Sequence, residues 1–225
     1  NRGYGINQWG ESGSYNGADL MRLLNQGYES ESVNNSLYWN RKSGMCYSFG
    51  ENTTTNCDFS STGLTENAKA MIDNAKWYTA ASNYNITTSE SYIEERGIKV
   101  GTADEGISIT KLINWTGKVG LMYPSDYGYA SSGCRNGEQI LYEYDNSVCK
   151  STNWLYKSTY YWTLSPYPGN KYYVRDIRGP GGNGSDGSVD YSYAFYNRNI
   201  HPVIYLKSNI KIKSGTGRSS DPYEL

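Results

Sequence analysis

The C-terminal half of the chain alternates apolar and polar side chains with the period of a β-strand. In the segment WTLS at 162–165, large apolar residues alternate with hydroxyl residues, and a second apolar run follows Pro202. Short alternating or apolar runs bounded by proline predict strands. We expect the core side of a C-terminal sheet to be formed by Trp162, Leu164, Val203, Ile204 and Leu206.

The N-terminal half shows apolar residues at helical spacing instead. From Leu64 to Tyr78 they recur every three or four positions, and Thr65 is a typical N-cap, so we predict one helix across this segment. Two further helices are predicted. One follows Ser14 or Asn16 as N-cap, runs through residues 20–24 and stops at Gly27, and the other covers residues 89–96, with Gly97 as stop.

Helices followed by strands predict an α+β fold. We interpret residues 1–225 as a single domain, with 1–115 as a helical layer and 116–225 as a small, twisted, mainly antiparallel sheet that carries long loops. Loops longer than about 12 to 15 residues are usually functional or mobile. The loops between the C-terminal strands are therefore where we look for function.

The segment between the two predicted C-terminal strands is rich in Tyr, Asn, Ser and Gly. Antibody paratopes favour these residues, because Tyr offers a large rigid contact area and small polar residues adapt their hydrogen bonds. An alternative is that Tyr only covers a solvated sheet face, where it has good strand propensity. The predicted ligand-binding residues are Tyr167, Asn170, Tyr172, Tyr191, Tyr193, Tyr196, Asn197 and Asn199.

Two motifs in this region carry a resemblance to a known family. The WTLSP motif at 162–166 and the NIHPVIYL motif at 199–206 resemble the W-x-L-[RS]-S/P and G-V-R-P-V-x-x-L signatures of bacterial extracellular domains. These domains are related to C-type lectin folds, formylglycine-generating-enzyme-like proteins and the variable proteins of diversity-generating retroelements. Residues 18–25, 115–130 and 215–225 also resemble the exported heads of prepilin-type surface proteins.

The resemblance implies a C-type-lectin-like fold on the outside of a bacterial cell, with long loops held on a small sheet. The chain departs from the family pattern at Asn199 and His201, where the family usually has Gly and Arg. A role that the family gives to that arginine therefore does not transfer to this chain.

The four cysteines form two local pairs, Cys46 with Cys57 and Cys134 with Cys149. Three connectivities exist for four cysteines, and we favour bonds within each pair because only short loops then have to close. Neither spacing is that of a zinc site. Disulfides indicate an oxidising, extracytoplasmic compartment.

The charge and hydropathy of the chain limit the kinds of partner that we expect it to bind. The net charge is −1, from 21 Lys and Arg against 22 Asp and Glu, and the basic residues are scattered. Binding to a phosphate backbone needs a basic patch, so we do not expect a nucleic-acid partner. No window approaches the roughly 18 apolar residues of a membrane span. Because the chain begins at Asn1, we expect membrane attachment only through a segment outside it.

Catalysis has little support in the sequence, and we predict a protein that is not an enzyme. A Ser-His-Asp arrangement would have to use His201, the only histidine, which directly precedes Pro202 at the start of a strand.

The Gly-rich loop at 179–190 lacks a phosphate-loop ending. Its oxygen donors Asn183, Asp186 and Asp190 are a candidate calcium site, although a Gly-rich hairpin tip explains the same residues without metal.

Two functions remain open. The first is a non-catalytic recognition domain of an extracellular or pilus-associated protein, which binds a protein or glycan on another surface through its Tyr/Asn face. The second is a structural filament subunit, in which the same aromatic surface packs against copies of itself.

Overall fold

The computed structural model describes residues 20, 24–25, 36–47, 54–78, 80–83, 85–97, 114–134, 137–168, 173–181, 186–194, 196, 198–218 and 220–225, except for the side chains at positions 46, 47, 54 and 115. This part of the chain mixes short helices with small antiparallel sheets, which confirms the α+β class. None of its helices has the length and apolar character that a bilayer crossing needs.

The helices are short and lie between the strands. In chain order the helices are α1 (Leu37–Asn40), α2 (Glu66–Met71), α3 (Thr88–Glu95), α4 (Pro124–Tyr129) and α5 (Ser147–Ser151), with a 3-10 turn at Leu141–Glu143. The strands are β1 (Ser43–Tyr47), β2 (Thr54–Asp58), β3 (Ala75–Tyr78), β4 (Asn114–Gly117), β5 (Val119–Leu121), β6 (Tyr161–Pro166), β7 (Tyr173–Ile177), β8 (Val189–Tyr193) and β9 (Pro202–Ile204).

Helix α3 confirms the prediction for residues 89–96 almost to the residue. Thr87 and Glu90 form a capping box, in which each side chain hydrogen-bonds the other residue's backbone N–H. Gly97, with a φ of 65°, provides the left-handed stop after the helix. Of the helix predicted at 20–24, the described residues Leu20 and Leu24 are helical and buried, while Ser14, Asn16 and Gly27 lie outside the described residues.

The long helix predicted from Leu64 to Tyr78 is wrong beyond its first turns. The predicted N-cap is correct, because the Thr65 side chain accepts a hydrogen bond from the Ala68 N–H. The helix ends at Met71, and Ile72 forms an isolated bridge with Leu206. Residues 75–78 then form strand β3, which pairs with β4.

The strands form four small sheets, and every named strand pair is antiparallel. Three sheets have two strands each, β1 with β2, β3 with β4 and β5 with β9. The fourth has three strands in the order β6-β7-β8. The described part of residues 1–115 therefore contains strands as well as helices, so the interpretation of this half as a purely helical layer is wrong. The assignment of the chain to a single domain stays a prediction.

The three-stranded sheet separates two hydrophobic cores. Because side chains alternate along a strand, Val174 enters one core and Ile177 enters the other. The first core contains Leu20, Leu24, Trp39, Ile72, Trp77, Val119, Leu121, Tyr123, Trp162, Leu164, Val174 and Ala194. The second core contains Met122, Tyr127, Cys134, Leu141, Tyr144, Cys149, Tyr161, Ile177 and Val189.

The predicted core side of the C-terminal sheet is correct in part. Trp162 and Leu164 are fully buried, as expected for central strand residues. Val203 and Ile204 are half-buried and pack against the first core from a different sheet. Leu206 is 40% exposed, which contradicts its predicted place in the core. It follows the end of β9, beyond the part of this strand that lies against β5.

One predicted disulfide is confirmed. Cys134 and Cys149 are bonded with a Cα–Cα distance of 5.3 Å, and the bond joins helix α5 to the segment after α4. Cys57 also takes part in a disulfide. The side chain of Cys46 lies outside the described residues, so the pairing of Cys46 with Cys57 stays a prediction.

Candidate functional site

Strands β7 and β8 bring three tyrosines to one face of the three-stranded sheet. Tyr191 and Tyr193 are two positions apart on β8, and their side chains therefore point to the same side. Tyr173 on β7 lies directly opposite Tyr193 in the antiparallel register. Cross-strand neighbours on one face are close enough for their rings to touch.

Two more tyrosines extend this group into a continuous row of rings. Tyr167 stacks on Tyr191, with ring centroids 4.2 Å apart and an angle of 25° between the planes. Tyr173 contacts Tyr191 at 5.1 Å and Tyr193 at 4.5 Å. Tyr196 meets Tyr193 edge to face at 5.8 Å. We call these five residues, Tyr167, Tyr173, Tyr191, Tyr193 and Tyr196, the tyrosine face.

The tyrosine face is accessible to a partner. Tyr193 is 37% exposed, and the other four rings are half-buried by each other and by the sheet. A hydrogen bond with Tyr193 raises the pKa of Tyr173 to about 12. The Tyr173 hydroxyl is therefore protonated at neutral pH and can donate as well as accept a hydrogen bond.

The backbone holds the ends of the tyrosine face in place. The Tyr167 N–H donates to the Tyr173 carbonyl at 3.1 Å, which fixes the segment after β6 against β7. The Tyr196 N–H donates to the Tyr193 carbonyl at 2.9 Å, which closes a turn after β8. Both loop tyrosines are therefore attached to strand residues of the same face.

The structure brings together four of the predicted ligand-binding residues, Tyr167, Tyr191, Tyr193 and Tyr196. Asn199 lies apart from them, since its amide donates to Thr159 Oγ1 at 2.7 Å and its backbone pairs with β6 near Tyr161. Three others, Asn170, Tyr172 and Asn197, lie outside the described residues. Tyr173 was not among the predicted ligand-binding residues, and it joins them because β7 pairs it with Tyr193.

The tyrosine face continues, on the same side of the sheet, into the second core. Arg175 lies between Tyr173 and Ile177 on β7 and is fully buried. Burial raises the pKa of Glu94 on helix α3, and the positive charge of Arg175 acts in the opposite direction. Burial has the largest effect, so the pKa of Glu94 is raised overall, although hydrogen bonds from Asn83 also lower it. The tyrosine face is therefore supported by buried, tightly packed residues of the same sheet.

The opposite side of the sheet carries a buried acid next to the first core. Asp176 accepts hydrogen bonds from Ser192 Oγ at 2.7 Å and from Arg198 Nε at 3.1 Å, both at Oδ2. Burial raises the pKa of Asp176, while the hydrogen bond from Ser192 and the charge of Arg198 lower it. Arg198 had no recognisable signal in the sequence, because a single arginine in a loop is usually solvated.

The predicted calcium ligands are in contact with protein groups. Asp186 accepts a hydrogen bond from the Tyr156 hydroxyl and lies 3.6 Å from Lys150 Nζ. Asp190 forms an ion pair with Arg178. Asn183 lies outside the described residues. Among the residues described, no group of three or more His, Cys, Asp or Glu side chains is placed to hold a metal ion. The calcium site stays a prediction.

His201 packs against an aromatic ring. Its ring centroid lies 4.6 Å from that of Tyr161. Burial lowers the pKa of His201, and the nearby charge of Lys157 lowers it further, so the imidazole is neutral at pH 7. The ring contact with Tyr161 fits a packing role for His201, and the absence of catalysis stays a prediction.

Comparison with protein families, with curated proteins and with solved structures found no match to this chain. The resemblance to lectin-like and prepilin-type proteins therefore stays an expectation. We therefore infer a function from the geometry of the tyrosine face and its surroundings.

Proposed function

We propose that this chain is a non-catalytic recognition domain that binds a protein partner through the tyrosine face. The observation that carries the proposal is the row of five rings along a sheet that lies between two hydrophobic cores. Tyr is enriched among the residues that dominate binding energy at protein interfaces. A rigid base lowers the entropic cost of ordering such rings upon binding.

The stacking within the face favours a protein over a glycan. Sugars bind aromatic side chains by lying on an open ring face. Tyr167 and Tyr191 each cover one face of the other ring, and Tyr173 contacts two neighbouring rings. The face therefore offers ring edges and hydroxyl groups, which suit the backbone carbonyls and mixed side chains of a polypeptide.

A location outside the bacterial cell and a C-type-lectin-like fold are further parts of the proposal. The Cys134–Cys149 disulfide supports an oxidising compartment. The small antiparallel sheets with long connections are compatible with a lectin-like fold. Both parts also follow from the resemblance of the WTLSP and NIHPVIYL motifs.

Self-assembly into a filament is the second candidate, and the C-terminal residues favour it. Apolar side chains are exposed along the final segment at Tyr205, Leu206, Ile212, Tyr223 and Leu225. Exposed apolar groups in one region are typical of interaction surfaces. In this case the partner on the tyrosine face would be another copy of the chain.

Parallel selections on the wild type test the proposal. A random peptide library and a glycan array would be screened against the wild type, with counter-selection on a Tyr191→Ala/Tyr193→Ala variant. We expect peptides that bind only the wild type and no glycan that depends on these tyrosines. Glycans that require the two rings, or the absence of peptides specific to the wild type, would contradict a protein-binding function. Sedimentation over a range of protein concentrations distinguishes self-assembly into a filament from binding to a different protein.

A further inference from the structure

The Arg198 guanidinium lies among three aromatic rings, two from the segment at Tyr160 and Trp162 and one from the nearby Tyr196. Its central carbon is 4.4 Å from the ring centroid of Tyr160, 5.1 Å from that of Tyr196 and 5.8 Å from that of Trp162. Each distance is within the range of a cation–π interaction. Three rings around one cation form an aromatic cage, the arrangement that proteins use to recognise organic cations.

Polar groups complete this cage on the side of the sheet. Arg198 Nε donates to Asp176 Oδ2 at 3.1 Å, and Arg198 Nη2 donates to Ser192 Oγ at 3.1 Å. Asp176 is fully buried, and a buried carboxylate needs a cation beside it. The Oδ1 atom of Asp176 is also buried and has no hydrogen-bond partner among the described residues. The cage therefore has one acceptor that these contacts leave unused.

The cage is connected to the tyrosine face through Tyr196. This ring contacts the Arg198 guanidinium on one side and the Tyr193 ring on the other. Tyr193 in turn packs on Tyr173 within the row. Arg198 is attached to Asp176 on the opposite side of the sheet, so it links the buried side of the sheet to the exposed end of the face.

We propose that Arg198 positions the rings of the tyrosine face. We also propose that the cage around Arg198 binds alkylguanidinium groups, and that the Arg198 side chain itself occupies this site in the native chain. The positioning role rests on the function proposed above, whereas the binding chemistry of the cage does not. A free alkylguanidinium is not tethered to the backbone. It can therefore present two N–H groups to the Asp176 carboxylate, including the unused Oδ1.

Chemical rescue of an Arg198→Ala variant tests the proposal without a known partner. The variant leaves the Asp176 charge buried without its cation, and we expect the melting temperature to fall by roughly 10 °C. Ethylguanidinium at millimolar concentration should restore most of this loss in a saturable manner, and the intrinsic tryptophan fluorescence, to which Trp162 contributes, should change with its binding. Equal concentrations of sodium chloride should have neither effect. Loss of stability without saturable rescue would overturn the cage.

Two further variants distinguish the cage from general effects. Asp176→Asn in the Arg198→Ala background should abolish the rescue, because the carboxylate is removed. Arg218→Ala, which removes an exposed arginine near the C-terminus, should leave stability unchanged. Rescue that persists without the Asp176 carboxylate would overturn the site as described.

Aromatic NMR signals test the positioning role separately. In Arg198→Ala, the signals of Tyr193 and Tyr196 should move towards random-coil values and return on addition of ethylguanidinium. If the alanine variant fails to fold, Arg198→Lys can be used instead, because it keeps the positive charge. The lysine ammonium cannot contact Asp176 and Ser192 in the same way as the guanidinium. It should therefore displace the same signals. Native signals for Tyr193 and Tyr196 in Arg198→Lys would overturn the positioning role, even if the cage binds ethylguanidinium.

Discussion

The carboxyl group of Glu95 should make the protein less stable as the pH rises through neutrality. Glu95 ends helix α3 and is fully buried against the first turn of helix α4. Its oxygens accept hydrogen bonds from the Ser125 N–H at 3.1 Å, from Ser125 Oγ at 2.6 Å and from Ser91 Oγ. Burial raises the pKa of Glu95 from 4.5 to about 7, although these hydrogen bonds and Arg96 oppose the change.

The direction and the size of the effect follow from this pKa. Because the pKa is higher in the folded protein than in the unfolded chain, folding favours the protonated carboxyl group. The resulting stabilisation is complete below a pH of about 4.5 and is lost as the pH rises through about 7. A change of about 2.5 pKa units corresponds to about 3 kcal/mol in the free energy of unfolding.

Urea denaturation of the wild type and of Glu95→Gln at about pH 4 and about pH 8 measures this effect. Glutamine resembles the protonated carboxyl group in size and charge. We therefore expect the variant to gain about 3 kcal/mol relative to the wild type between the two pH values. The difference between the two proteins isolates Glu95, because Glu94 and Asp176 also have raised pKa values. A stability difference that does not change with pH would refute the reasoning.

Three further predictions concern the cores. Leu164→Ala should lower the free energy of unfolding by about 2 to 5 kcal/mol in urea denaturation, because Leu164 is fully buried in the first core. Gly120→Ala should cost about 1 to 3 kcal/mol in the same assay, because its new Cβ would lie 2.7 Å from the Trp77 ring. Replacing Cys134 and Cys149 by Ser should cost about 3 kcal/mol, measured by thermal unfolding, because the bond closes a loop with a sequence separation of 15.

Local patterns in the sequence predicted the elements that local interactions determine. The Gly97 stop of helix α3 was predicted from the sequence, and the structure adds a capping box at its other end, a few residues away. Tyr191 and Tyr193 were likewise named from the local abundance of Tyr, Asn, Ser and Gly, and both belong to the tyrosine face. In each case the information lies within one turn of helix or a few strand residues.

Long-range pairing explains the elements that the sequence did not predict. Residues 75–78 have helical spacing, but they pair with β4 some forty residues later and become a strand. Thr163 and Ser165 were expected opposite the core, yet both are fully buried. Strand β6 lies between two cores, and the second core is built largely from residues 122–149. A single-strand pattern does not contain this information.

In the candidate site, too, local patterns predicted some features and long-range pairing determined the others. The abundance of Tyr indicated a contact surface, but the register of β7 and β8 selects which rings touch. Tyr173 joined the face through its position opposite Tyr193, and Asn199 was placed elsewhere by its pairing near Tyr161. Arg198 became important only because the chain folds it onto Asp176 and three rings.

The central claim is that the tyrosine face binds a protein partner, and one comparison tests it most directly. The affinity of a peptide selected on the wild type would be measured by calorimetry for Tyr193→Ala and for Tyr129→Ala, an exposed tyrosine on helix α4. We predict a loss of roughly 30-fold for Tyr193→Ala and unchanged affinity for Tyr129→Ala, with both variants folded. Wild-type affinity in folded Tyr193→Ala would contradict the claim.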